Sequence, residues 1–216
     1  MEIYMHNLNK ITKILGASLV LLASNAALGE TLSVPTTVAV DNTIDFTLAG
    51  TLDFGIIRAT GNNDGTNCAG IVVSANPAVA NTTTLGGTAA SNCSTGNDAV
   101  MQSVGGVIAR PVFTVAGLAG FTALDLTLPV TPTALTLTGG APAGAPAFRL
   151  YDITAYQTTG TAAFVANGGT VTANATGDIT FNVGATIVTD SEAYTGTFSY
   201  ENSTYEGTFD VTVEYP

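Results

Sequence analysis

The sequence predicts an all-β chain of the sandwich or barrel class, and three observations predict it. Helix formers are scarce: Thr, Val, Gly and Ala dominate, and Glu, Lys and Gln are thin where helices would need them. Short runs alternate apolar and polar residues, the period-two signature of a half-buried strand. Gly, Asn and Pro punctuate those runs at strand-length intervals, as turns between antiparallel strands require.

The clearest alternation spans residues 31–48. Seven of its nine even positions are large and apolar (Leu32, Val34, Val38, Val40, Ile44, Phe46, Leu48), and no odd position is. One parity must therefore be buried, in this domain or in a neighbour. The reading from alternation alone is an ordinary first strand. Pro35 argues against a central position, because it cannot donate to a ladder.

The preceding residues read as an address. Lys10 and Lys13 form a positive region, 14–23 is an apolar run too short to span a bilayer, and small residues follow. Residues 1–29 are expected to be a signal peptide, cleaved after Ala26 or Gly29. No later run of eighteen apolar residues is present, so export without membrane insertion is expected. Cleavage after Gly29 leaves 187 residues, enough for one sizeable domain.

Composition excludes several functions. Beyond residue 29 the chain holds three basic residues, Arg58, Arg110 and Arg149, against fifteen acidic ones, a net charge of −12. Nucleic acid and anionic membranes need basic surfaces and are disfavoured as partners. The only histidine, His6, and both lysines lie in the leader. A Ser-His-Asp arrangement, a Schiff-base lysine and a histidine metal site are thereby unavailable. The chain is expected not to be an enzyme and to need no metal or cofactor; a hydrolase using paired carboxylates is the weakest of the functions considered. Cys68 and Cys93 are the only cysteines. In an oxidising compartment they are expected to bond, with two free thiols as the alternative. The closed loop of about 25 residues would contribute about 3.5 kcal/mol in the chain-entropy account.

Along the chain, strands are expected from Ile44 to Ile57 with a break at Gly50, then at 71–75, 107–115 (with a bulge or edge at Pro111), 124–130, 134–137, 148–156, 169–173, 178–183 and 194–200. Residues 58–67 and 138–147 read as loops, and 76–98 as an irregular insertion pinned by Cys93. The last stretch, from Tyr205 to Tyr215, alternates as cleanly as the first. The run 62–67 clusters oxygen ligands, but it lacks the alternating acidic pattern and distal Glu of a calcium loop, so a plain turn is favoured. Asn81, Asn92, Asn174 and Asn202 head N-x-[ST] triplets that a chain rich in Asn and Thr produces by chance. Tyr194, Tyr200 and Tyr205 are read as half-buried strand residues in preference to a sugar-stacking platform.

Two groups of residues carry a family resemblance. Thr51-Leu52-Asp53-Phe54-Gly55-Ile56-Ile57 resembles the LDFG signature near the mature N-terminus of secreted pilin-like proteins. Phe181-Asn182-Val183-Gly184-Ala185-Thr186, then Tyr194-Thr195-Gly196-Thr197-Phe198, then 207–215 with the penultimate Tyr215, resemble the end of the same group. That group is a proteobacterial domain family of unknown function, related in style to the spore-coat-U-like pilins of archaic chaperone–usher systems. The likeness covers most of 43–216. It departs at 62–103, at the insertion 200–205, and at Pro216.

The resemblance implies an immunoglobulin-like β-sandwich of pilin type that lacks its last strand, with a disulfide-pinned insertion. It divides the chain into a leader, an extension at 30–42 and a domain at 43–216. It implies a fimbrial subunit that crosses the periplasm and polymerises head to tail with its own copies through donor-strand exchange. A periplasmic chaperone and an outer-membrane usher are the implied partners, and the cell surface or fimbrium the implied destination. Leu32, Val34, Val38 and Val40 would plug a groove in the next subunit, at roughly 6–12 kcal/mol of burial before ordering costs. Phe209, Val211, Val213 and Tyr215 would form the acceptor and chaperone-facing strand. The alternative is a monomeric secreted sandwich that binds a surface glycan or protein through the 58–105 loop region.

Overall fold

A computed structural model describes residues 33–39, 43–61, 68–85, 99–140, 145–189 and 200–216. The chain divides into two compact units, 1–41 and 42–216. In the first, residues 33–39 form no strand, and all seven are exposed.

The second unit is all-β and sandwich-like, with antiparallel pairing throughout and no helix among its described residues. Its strands are β1 (Asp45–Ala49), β2 (Asp53–Thr60), β3 (Gly70–Val73), β4 (Thr82–Leu85), β5 (Val100–Ala109), β6 (Val112–Ala116), β7 (Ala123–Thr127), β8 (Thr133–Leu137), β9 (Phe148–Gln157), β10 (Ala163–Val165), β11 (Gly169–Thr172), β12 (Ile179–Thr189), β13 (Tyr205–Glu206) and β14 (Thr212–Glu214). The main sheet runs β1-β6-β12-β9-β8-β13, with β3 and β4 beside the far half of β12 and β10 beside the far half of β9. A second sheet runs β11-β7-β14, and β2 pairs with β5 alone.

The hub is β12, whose eleven residues are all buried except Thr180. Along one edge it pairs with β9. Along the other it pairs first with β6 (Ile179–Asn182) and then with β3 (Ala185–Val188). The change of partner falls at Gly184. A Cβ there would lie 2.3 Å from both Ala75 N and Val73 O, so only glycine lets the chain approach this closely. The register against β9 also shifts here, opposite Asp152, whose φ of 50° marks a bulge that Asp tolerates. Three phenylalanines tie the first strands together: Phe46, Phe113 and Phe181 stack with centroids 5.2 to 6.3 Å apart. Leu124, Leu126 and Val171 of the second sheet join the same core cluster as Phe181 and Val183.

Several expected elements differ in extent. Pro111 does not bulge one strand but separates two, β5 and β6, because it ends the ladder of the first. The expected loop at 58–67 begins only at Gly61, since Arg58, Ala59 and Thr60 pair with Gln102, Met101 and Val100. The insertion at 76–98 contains β4, paired to β3. Strand β12 continues six residues past Val183. The C-terminal alternation is interrupted, with 207–211 outside both β13 and β14.

Candidate functional site

A groove of about 1180 Å³ lies within the second unit, with an apolar floor and a mixed rim. Its floor is the inner face of the main sheet: Phe113 of β6, Leu135 of β8, Phe148 and Leu150 of β9, and Ile187 of β12. Two stretches of chain line it, residues 50–59 and residues 200–209. Both have open edges among the described residues, because β2 pairs only with β5 and β13 only with β8. Farther along, β14 pairs only with β7 among the described residues.

Three large apolar side chains in its lining face solvent. Leu48 is 60% exposed, Ile56 62% and Val104 51%. Leu48 shares its parity with Ile44 and Phe46, which are half-buried. The alternation of β1 thus predicts a buried face whose last member is left mostly exposed.

The bend in residues 51–57 has a local physical cause. Asp53 Oδ1 accepts a hydrogen bond from Gly55 N–H at 2.8 Å, and Gly55 has φ 73°. A Cβ on Gly55 would sit 2.7 Å from Gly105 O, and one on Gly106 2.8 Å from Ile56 N. Between Phe54 and Ile57 the register against β5 shifts twice. Glycines on both strands therefore build a bulge that bends β2 along the groove.

On the opposite lining, Tyr200 and Tyr205 pack on Phe148, with centroids 4.1 and 4.9 Å from it, and the Tyr200 hydroxyl donates to Ala147 O at 3.1 Å. Both tyrosines are half-buried, so they serve as wall residues; Tyr194 lies outside the described residues. The Tyr205 hydroxyl accepts from Glu201 N–H at 2.9 Å, and burial raises its pKa above the ordinary value. Gly207 packs against the backbone of Ala134, where a Cβ would lie 2.5 Å from the carbonyl oxygen. Carboxylates of Asp53, Glu201 and Glu206 and the guanidinium of Arg58 also line the groove.

Of the C-terminal residues singled out from sequence, Phe209 lines the groove, Phe209, Val211 and Val213 are half-buried against the core, and Tyr215 is exposed. Of the N-terminal ones, Val34 and Val38 are 82% and 88% exposed. Leu32 and Val40 lie outside the described residues, as do Cys93 and the 62–67 run. Cys68 is buried beside β3. The contributions of Leu135, Phe148 and Leu150 were not legible in advance, since nothing local distinguishes a groove floor from a closed core.

Two of the N-x-[ST] asparagines have structural work. Asn81 Oδ1 accepts from Ser74 N–H and from the Arg110 guanidinium, at 3.2 and 2.9 Å. Asn174 Oδ1 accepts from the N–H groups of Thr176 and Asp178, both at 2.9 Å. Among the described residues, no three His, Cys, Asp or Glu side chains gather as metal ligands, and no helix is long and apolar enough to cross a membrane. Comparisons with protein-family models, curated proteins and solved structures returned no match to this chain.

Proposed function

We propose that the chain is a structural, pilus-like subunit whose immunoglobulin-like sandwich is incomplete and is finished by a strand from another copy. The observation that carries this reading is the groove. It combines an apolar floor, solvent-facing Leu48, Ile56 and Val104, and lining strands whose outer edges have no partner among the described residues. An open edge over exposed apolar surface is a liability in a finished monomer. It is what a chain awaiting a strand would display, since ladder hydrogen bonds and alternate side chains would then both be satisfied.

The 30–42 extension of a neighbouring copy is the proposed donor. Nine residues from Leu32 to Val40 extend roughly 30 Å at strand rise, close to the length of the eight-residue β2. Leu32, Val34, Val38 and Val40 share a face, and Pro35 places the firmest pairing from Thr36 onward. Such a contact does not close on itself, so it propagates as a filament. Export by the leader, transit with a chaperone and usher, and a Cys68–Cys93 staple belong to the same proposal.

The experiment is a deletion of residues 30–40 behind an intact leader. The exported protein should form no polymers by electron microscopy, and a synthetic 30–42 peptide should raise its melting temperature. Filaments that persist after the deletion, or a peptide without effect on melting, would overturn strand donation by this segment.

A further inference from the structure

A second concavity of about 600 Å³ opens in the corner between β10 of the main sheet and β11 of the second sheet. Its lining holds no ionisable side chain, in a chain whose formal net charge is −11. Two phenylalanine rings stand at it, Phe121 at 73% and Phe164 at 59% exposure.

Phe121 is held there against its backbone preference. Its φ is 63°, a left-handed conformation that an aromatic residue seldom adopts. Its N–H donates to Asn174 O at 3.1 Å, and Thr122 donates to Ala119 O through both N–H and Oγ1, at 3.2 and 2.8 Å. Gly120 presses on Ala175, where a Cβ would lie 2.7 Å from its carbonyl oxygen. The turn thus fixes an exposed ring at a conformational cost, as ligand-contacting residues often are. Phe164 is steadied from the side by Tyr156, edge to face at 4.9 Å.

The cleft wall is also set in advance. Buried Gln157 donates through Nε2 to Thr159 O and Thr172 O at 2.7 and 2.9 Å, and its Oε1 accepts from Thr172 N–H at 3.0 Å. Its amide therefore stands in for a neighbouring strand at Thr172. Ala173 N–H turns the other way, to Thr122 O at 2.8 Å. By alternation the N–H and C=O of Thr170 face the same way as those of Thr172, away from β7 and toward the cleft.

We propose that this cleft binds an uncharged carbohydrate, with the C–H face of a sugar ring on Phe121 and Phe164 and its hydroxyls on the outward N–H and C=O of Thr170. The size lies in the range of small-ligand pockets. A charged ligand would find no counter-ion in the lining. A hydrocarbon would leave the Thr170 groups unsatisfied. A peptide strand would have one residue of ladder available, because Gln157 already occupies Thr172. This site is independent of strand donation and lies outside the 58–105 region.

The test titrates the full exported chain with maltotriose, cellotriose and chitobiose, and with trigalacturonate as a charged control, by calorimetry. At least one neutral sugar should bind, trigalacturonate at least tenfold more weakly, and F121A and F164A should each weaken neutral binding tenfold or more. Phe121→Gly separates ligand contact from structural support. It should relieve the left-handed strain and raise the melting temperature by roughly 2–4 °C while still losing the sugar. The proposal is overturned if no neutral sugar binds, if trigalacturonate binds as well, if F121A and F164A bind normally, or if F121G melts lower than the parent.

Discussion

Tyr205 shows how one side chain couples the groove wall to pH. Its ring packs edge-on against Phe148, its hydroxyl accepts from Glu201 N–H, and burial disfavours the phenolate. The folded pKa is raised above that of the unfolded chain. The stabilisation is therefore complete below about pH 10 and is lost as pH rises through the folded value. Tyr205→Phe should flatten the fall in melting temperature above about pH 10; an unchanged alkaline slope would remove Tyr205 from this account. The residue itself was visible as one of three closely spaced tyrosines. Its partner Phe148 lies 57 positions earlier, a separation that no local pattern bridges.

Among the described strands, β12 pairs with three others, as β9 does: β9 on one edge, and β6 then β3 on the other. Gly184 permits that exchange through backbone proximity rather than through an unusual turn. Gly184→Ala would place a methyl against Ala75 N and Val73 O, both immobile backbone atoms. The expected loss is about 1–3 kcal/mol in denaturant unfolding, from the overpacking; a neutral result would show that β3 can move aside. Strands that alternate cleanly, such as β1 and β9, were legible because each presents one face to the core. Strand β12 was cut short in the sequence reading because Gly184 resembles a terminator and the residues beyond it are apolar without alternation. Strand β10 is three residues long, too short to show a period, and the start of β5 is masked by polar residues at an exposed edge.

For the whole molecule, the main sheet carries more inner face than the described strands cover, and the groove is that difference. The Cys68–Cys93 bond, which is part of the proposed function, would act at the same scale by closing a loop of about 25 residues. Its reduction should destabilise the exported domain by about 3.5 kcal/mol, read as a lower denaturation midpoint in dithiothreitol. An unchanged midpoint would mean that the two thiols are not joined. The composition also speaks at this scale: a strongly acidic chain resists non-specific association, which suits a surface whose apolar groove is open.

The all-β class, the apolar parity of β1 and the tail, and the interruptions at Gly50 and Pro111 are determined by the sequence alone. Each is a local consequence of side-chain alternation or of one residue's backbone restriction. Which face of which strand lacks a partner was decided only by the tertiary structure. Leu48 and Phe46 have the same parity and similar chemistry, yet one is open and the other stacked against Phe113 and Phe181. The difference depends on what lies across the sheet, contributed by residues as far as Phe181, 135 positions from Phe46. The Phe121 cleft has the same origin, since β10, β11 and the 119–122 turn meet only once the two sheets are in place.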